Sequence, residues 1–133
     1  MKYKPVNLNT SGVKYHYIPR VEIINKTKNL ILAEDVFLAD TVLKRLKGLL
    51  GKKEFKNGQA VILKPCSSIH TLFMCFPIDV LFVDKHNRVI KAISNLPPFR
   101  LSGVYLNADF AIELPAGMIG QTATAEGDSL QIK

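Results

Sequence analysis

The stretch PCSSIHTLFMCFPID, residues 65–79, sets Cys66, His70, Cys75 and Asp79 within fourteen positions. Whether they form a site or decorate an ordinary strand depends on how this stretch folds. The run SIHTLFMCF is rich in β-branched and aromatic residues, which predicts a strand over 68–76. Side chains then alternate, with Cys66, Ser68, His70, Leu72, Met74 and Phe76 on one face and Ile69, Thr71, Phe73 and Cys75 on the other. The two cysteines point apart, which disfavours a disulfide or a shared metal. Cys66 and His70 share a face but lie roughly 13 Å apart at ~3.3 Å per residue, too far for a thiol–imidazole dyad. Pro77 removes a ladder donor and makes a corner. Pairing about that corner with DVLFV (79–83) predicts His70 opposite Asp84, an orienting carboxylate for the imidazole.

Working outward, the downstream chain is a series of short strand-like runs: QAVILK (59–64), DVLFV, RVIKAISNL (88–96), ADFAIEL (108–114) and SLQI (129–132). DKHN (84–87) reads as a hairpin turn in which Asn87 takes positive φ; LPAGMIG (114–120) and EGD (126–128) mark further turns. Upstream, VEII (21–24) is a short strand. NLILAEDVFLA (29–39) is another, with Ile31, Ala33, Asp35 and Phe37 on one face. Residues 1–19 read as a basic, loosely ordered arm, since Pro5, Asn7, Asn9, Ser11, Gly12 and Pro19 discourage regular structure. Residues 20–133 make the single domain.

One helix is predicted, DTVLKRLKGLLGKK from Asp40 to Lys53. Asp40 is the N-cap, and Val42, Leu46 and Leu49 follow 3.6-residue spacing, widened by Leu43 and Leu50. Six or more strands and one amphipathic helix predict a mainly β fold, a small closed β-barrel or sandwich-like domain with the helix packed against it.

Composition narrows the function classes. The 133 residues suit one domain, and no apolar run approaches the ~18 residues of a spanning helix. The amino-terminal lysines precede no apolar segment, so export is not expected, and two cysteines fit a reducing cytoplasm. The net charge of +7 is uneven: thirteen Lys/Arg face five Asp/Glu in residues 1–64, and five face six in 65–133. A solvated helix face and a basic arm account for this better than nucleic acid, because no binding module accompanies the charge.

The candidate ligand-binding residues are Arg45, Cys66, His70, Thr71, Asp79 and Glu113, with no catalytic residue, metal ligand or cofactor assigned. Glu113 shares its strand face with Asp109 and is expected to be solvated or to meet a basic partner such as Arg45. Asp79, just after the proline corner, is expected to accept backbone amides.

Three motifs together resemble the DUF192 (UPF0127) family. LKRLKGLLG (43–51) carries an R-x-x-G-L pattern at Arg45, Gly48 and Leu49. SIHTLFMCFPIDVLFVD (68–84) resembles the H-T-x-x-M-x-x-P-[IL]-D-[IV]-x-F block, and IELPAG (112–117) with the late Gly127-Asp128 completes the match over about 20–133. DKHN departs from the usual D-x-x-G, and Cys75 stands where a basic residue is common. The resemblance implies a compact barrel-like β domain with one helix and brings no activity.

The sequence thus favours a cytoplasmic, non-catalytic binding or accessory domain. Its shallow pocket lies between the helix and the His70 strand and takes a small molecule or protein segment. The rival is a small hydrolase or metal-assisted enzyme using His70 with Asp79 or Asp84. A third reading has Lys44, Lys47, Lys52, Lys53 and Lys56 contacting nucleic acid or an anionic surface.

Overall fold

In the run IDVLFV (78–83) every residue is buried, and a strand can bury successive side chains only if both faces of its sheet are covered. The computed structural model describes residues 4–7, 14–39, 55–72 and 74–133. In chain order they form β1 (Lys4–Asn7), β2 (Lys14–Ile18), β3 (Ile23–Asn25), β4 (Leu30–Ala39), β5 (Gly58–Leu63), β6 (Ile78–Val83), β7 (Val89–Leu96), β8 (Phe110–Pro115), a short helix α1 (Met118–Thr122) and β9 (Leu130–Ile132). The main sheet runs β1-β2-β4-β5-β8-β6-β7, with β3 joining β4 to β9. All these pairs are antiparallel except β4–β5, which is parallel. The sheet curls strongly into a half-barrel. The expectation of a mainly β, barrel-like domain holds, with the barrel half closed.

Two apolar cores result. The first packs Ile62 of β5, Leu81 and Val83 of β6, and Ile112 and Leu114 of β8 against Met118 and Ile119 of α1, with Ile23 and Leu130 at its end. The second lies on the opposite face. It gathers Phe37, Val61, Leu63, Ile78, Val80, Phe82 and Ala111 under Ile69 and Met74, with Cys66, Phe76 and Tyr105 packed against it. Alternation along β5, β6 and β8 therefore sends each successive side chain into one core or the other.

Several expectations change here. None of the described residues in 68–76 belongs to a strand; among them only His70 makes an isolated bridge, to Leu101. The partner of β6 is β7 on one side and β8 on the other, so no hairpin forms about Pro77 and His70 does not face Asp84. Instead Asp84 Oδ1 accepts the amides of His86 and Arg88, at 2.9 and 3.0 Å, inside its own turn. In β4 the register shifts between Ala33 and Asp35, so Leu32, Ala33 and Val36 share the first core while Phe37 enters the second. Ile31, expected beside Ala33, is 47% exposed. LPAGMIG, read as a turn, leads into α1. Two strands, β1 and β2, fall in residues 1–19, where none was expected. The predicted helix over 40–53 lies outside the described residues.

Candidate functional site

The described residues of 65–77, and residues 97–109, are irregular, yet they lie side by side and roof the second core. Their backbones exchange bonds in antiparallel order: Cys66 N–H to Asp109 O (3.2 Å), Tyr105 N–H to Ser67 O (2.8 Å), Ser102 N–H to Ile69 O (2.9 Å) and Thr71 N–H to Arg100 O (2.8 Å). The first half of the segment is thus extended, as its composition predicts. Its partner is remote in sequence, and after Thr71 the chain turns, with Met74 N–H donating back to Thr71 O at 3.2 Å.

Thr71 is the knot of this roof. It is fully buried. Its hydroxyl donates to Pro97 O at 2.6 Å and accepts from Arg100 N–H at 2.9 Å. Its carbonyl accepts Phe99 N–H at 2.9 Å. Phe99 has φ 61°, a conformation that costs a bulky side chain. The hydrogen bonds around Thr71 hold it there.

Cys66 and His70 sit half-buried in the same roof. The Cys66 thiol donates to Ser68 O at 3.1 Å, and His70 Nδ1 accepts Leu72 N–H at 3.2 Å. Asp79 is elsewhere. It is fully buried and faces the first core, where Oδ1 accepts Asn95 N–H (2.9 Å) and Oδ2 accepts Ile119 N–H (2.7 Å). The second bond satisfies an amide at the start of α1 that the helix itself leaves open. Asp79 does accept backbone amides, but across the sheet and not at the proline corner.

Glu113 points the other way, into the second core. In register it lies between Val61 of β5 and Val80 of β6, both members of that core. The residue is 1% exposed and its Oε2 has no hydrogen-bond partner among the described residues. Burial drives its pKa from 4.5 up to about 8. The expectation of a solvated carboxylate is therefore overturned: the roof covers the face that strand alternation alone leaves open. Asp109, two residues before the same alternation reaches Ala111, sits at the rim and pairs with Lys64 Nζ at 3.4 Å.

The structure thus brings Cys66, His70 and Thr71 together in the roof and places Glu113 on the sheet face beneath it. Asp79 lies on the other face, and Arg45 lies outside the described residues. Sequence reading assigned no element to 97–107, the other half of the roof. Pro97-Pro98 and Gly103 break every period there, so only the three-dimensional pairing reveals its part. Among the described residues, no three His, Cys, Asp or Glu side chains group as metal ligands do.

Comparison with known proteins follows this geometry. The DUF192 family model, "Uncharacterized ACR, COG1430", matches residues 23–132. The UPF0127 protein of Thermococcus kodakarensis is 36% identical over 110 residues, 80% of this chain and 69% of that one. The UPF0127 protein of Pyrococcus horikoshii is 33% identical over 114 residues, 82% and 96% of the two chains. A crystal structure of a protein of unknown function from Novosphingobium aromaticivorans superposes with a TM-score of 0.76 at 18% identity, covering 96% of this chain and 92% of that one. That likeness is one of fold. No described helix is long and apolar enough to cross a membrane.

Proposed function

The chain belongs to the DUF192 (UPF0127) family of uncharacterised proteins, and we propose that it is a non-catalytic binding domain whose small-molecule ligand docks against the second core at Glu113. One observation supports this reading: the buried Oε2 of Glu113 has no partner among the described residues. A folded domain normally satisfies buried polar atoms, so an orphan calls for a further group to complete it, and on this reading a ligand supplies that group. The other buried carboxylates, Asp79 and Asp128, are fully engaged with donors, so the orphan is specific to this face. Cys66 and His70 line the roof above and supply polar rim contacts. Thr71 serves by holding the roof in place. The working compartment is the cytoplasm, a reading supported by two cysteines that form no disulfide.

Fragment screening by ligand-observed NMR tests the proposal. Hits are expected to bind the wild-type chain and to lose binding in Glu113→Leu, with both proteins folded by circular dichroism. Equal binding to the two proteins would remove Glu113 from the site. Specific turnover of a bound hit, abolished in His70→Ala, would replace the non-catalytic reading with the enzymatic one.

A further inference from the structure

The segment 97–109 is turned outside in relative to an ordinary surface loop. Tyr105 packs on Phe82, with ring centroids 4.7 Å apart, and so against the second core. Ser102 Oγ accepts the amide of Ile69 at 2.9 Å. These anchors hold to the domain, while the aliphatic side chains between and around them are exposed. Of the seven exposed large apolar side chains among the described residues, five stand on the roof: Leu72, Phe99, Leu101, Val104 and Leu106. Scattered singly, such residues need no explanation; gathered on one segment, they mark a surface that meets something other than water.

Their geometry is that of projecting tips. Leu106 is 86% exposed in the turn closed by Ala108 N–H on Tyr105 O at 2.9 Å. Phe99 is exposed at the φ 61° bend that the Thr71 carbonyl holds. Between them Leu101 is 72% exposed opposite His70. Strain like that at Phe99 persists only where the surrounding structure sustains it, and here it presents an aromatic ring to the outside. Protruding apolar side chains enter an acyl layer without a matching cavity, whereas a protein partner has to supply one.

Charge selects among the surfaces that such tips fit. Residues 65–77 and 97–108 contain no Asp or Glu, and Arg100 stands exposed among the apolar tips. At the rim Asp109 is paired with Lys64. The chain as a whole carries +7. A two-fold contact between copies would set the patch against itself, cation to cation, with no carboxylate in either half of the roof to pair. An anionic bilayer supplies the opposite charge at its headgroups and apolar chains just beneath them.

We propose that the outer face of the roof docks on an anionic lipid bilayer, with Phe99, Leu101, Val104 and Leu106 entering the boundary between headgroups and acyl chains and Arg100 meeting the phosphates. This surface is independent of the ligand proposed at Glu113, which lies beneath the roof.

The test mixes the full chain with vesicles of phosphatidylcholine alone, or with an equal part of phosphatidylglycerol, and measures the bound fraction by co-sedimentation. Binding to the mixed vesicles is expected, about tenfold tighter than to phosphatidylcholine alone. The double variant Leu101→Ser/Leu106→Ser, folded by circular dichroism, should bind about tenfold more weakly or worse, and Arg100→Gln about fivefold more weakly. The chain has no Trp, so Leu106→Trp adds a single reporter whose emission should move to the blue on mixed vesicles. Binding that the leucine pair leaves unchanged would be the attraction of any basic chain to an anionic surface, and would overturn the proposal. So would a Leu106→Trp reporter that stays water-like on vesicles to which the protein is bound. A chain that ignores both vesicles also overturns it, and dimerisation lost in the leucine pair would then assign the roof to a second copy.

Discussion

Asp128 and Glu113 are buried to nearly the same degree, at 5% and 1% exposed, yet their surroundings are opposite. Asp128 sits where two polar turns meet. Its oxygens accept from Asn25 Nδ2 at 2.9 Å, from Lys28 Nζ at 3.0 and 3.1 Å, and from Ala125 N–H at 3.0 Å. Burial pulls its pKa up, but the bonds from Asn25, Lys28 and Ala125 outweigh that pull and hold the group below its ordinary value. Glu113 is also pulled up by burial, with no donor among the described residues to oppose it. The cost of desolvation is common to both; the donors decide what each carboxylate does for the fold. Asp128 ties the β3–β4 turn to the segment before β9 and is structural. Glu113 stands in an apolar sheet with its Oε2 unpartnered among the described residues, which is what sets it apart as the proposed site.

The contrast is broken most sharply by removing the satisfied member. Asp128→Ala strands Lys28, Asn25 and the Ala125 amide, and should cost about 4 kcal/mol in urea unfolding. The analogous Glu113→Leu should be neutral or stabilising at pH 7. A destabilisation of equal size in both would erase the distinction.

Acid and base should separate the two residues as well. With 4.5 in the unfolded chain and about 8 in the fold, Glu113 binds more protons when folded across that interval. Its contribution is therefore complete below pH 4.5 and is lost as pH rises toward 8, by about 3 kcal/mol between pH 4.5 and 7. Asp128 runs the other way: its contribution is full above pH 3.8 and is lost as acid carries the pH below its depressed folded value. Unfolding free energies across pH for wild type and Glu113→Gln should therefore diverge as pH rises, the variant lacking the decline.

Smaller effects sharpen the picture at the edges of the two regions. Thr71→Val removes the hydroxyl shared by Pro97 and Arg100 and should lower stability by about 2 kcal/mol, with increased proteolysis near 65–77 and 97–109. Asn87→Ala places a Cβ-bearing residue with no side-chain compensation at φ 60° and should cost about 1 kcal/mol, measured by the same urea titration. Asn87→Gly should stay within a few tenths of wild type.

The sequence made the strands legible because β-branched runs bounded by turn residues are local signals. The hairpin between β6 and β7 is the clearest case: Asn87 adopts φ 60° and its amide bonds Asp84 O at 3.0 Å, as DKHN predicts. The roof was not legible. SIHTLFMCF has strand composition, but its partner is a proline-broken segment thirty residues on, and no local pattern announces that pairing. The solvated alternative for Glu113 fails for the same reason, while its alternative partner, Arg45, lies outside the described residues. Alternation correctly sets Glu113 opposite Ile112 and Leu114, but whether that face meets water depends on the roof. Asp79 was read correctly as an acceptor of amides, though its partners come from β7 and α1.

The roof over Glu113 is held by a short, irregular ladder knotted at Thr71, whereas β6 beneath is bonded on both sides. Segments with so few backbone bonds open by themselves well below the free energy of global unfolding. Amide hydrogens of Ile69, Thr71 and Ser102 should exchange with deuterium long before those of Leu81 and Ile112. For the ligand site proposed at Glu113, access to the carboxyl is gated by that local breathing, so the observed association rate should level off at high ligand concentration at the rate of opening.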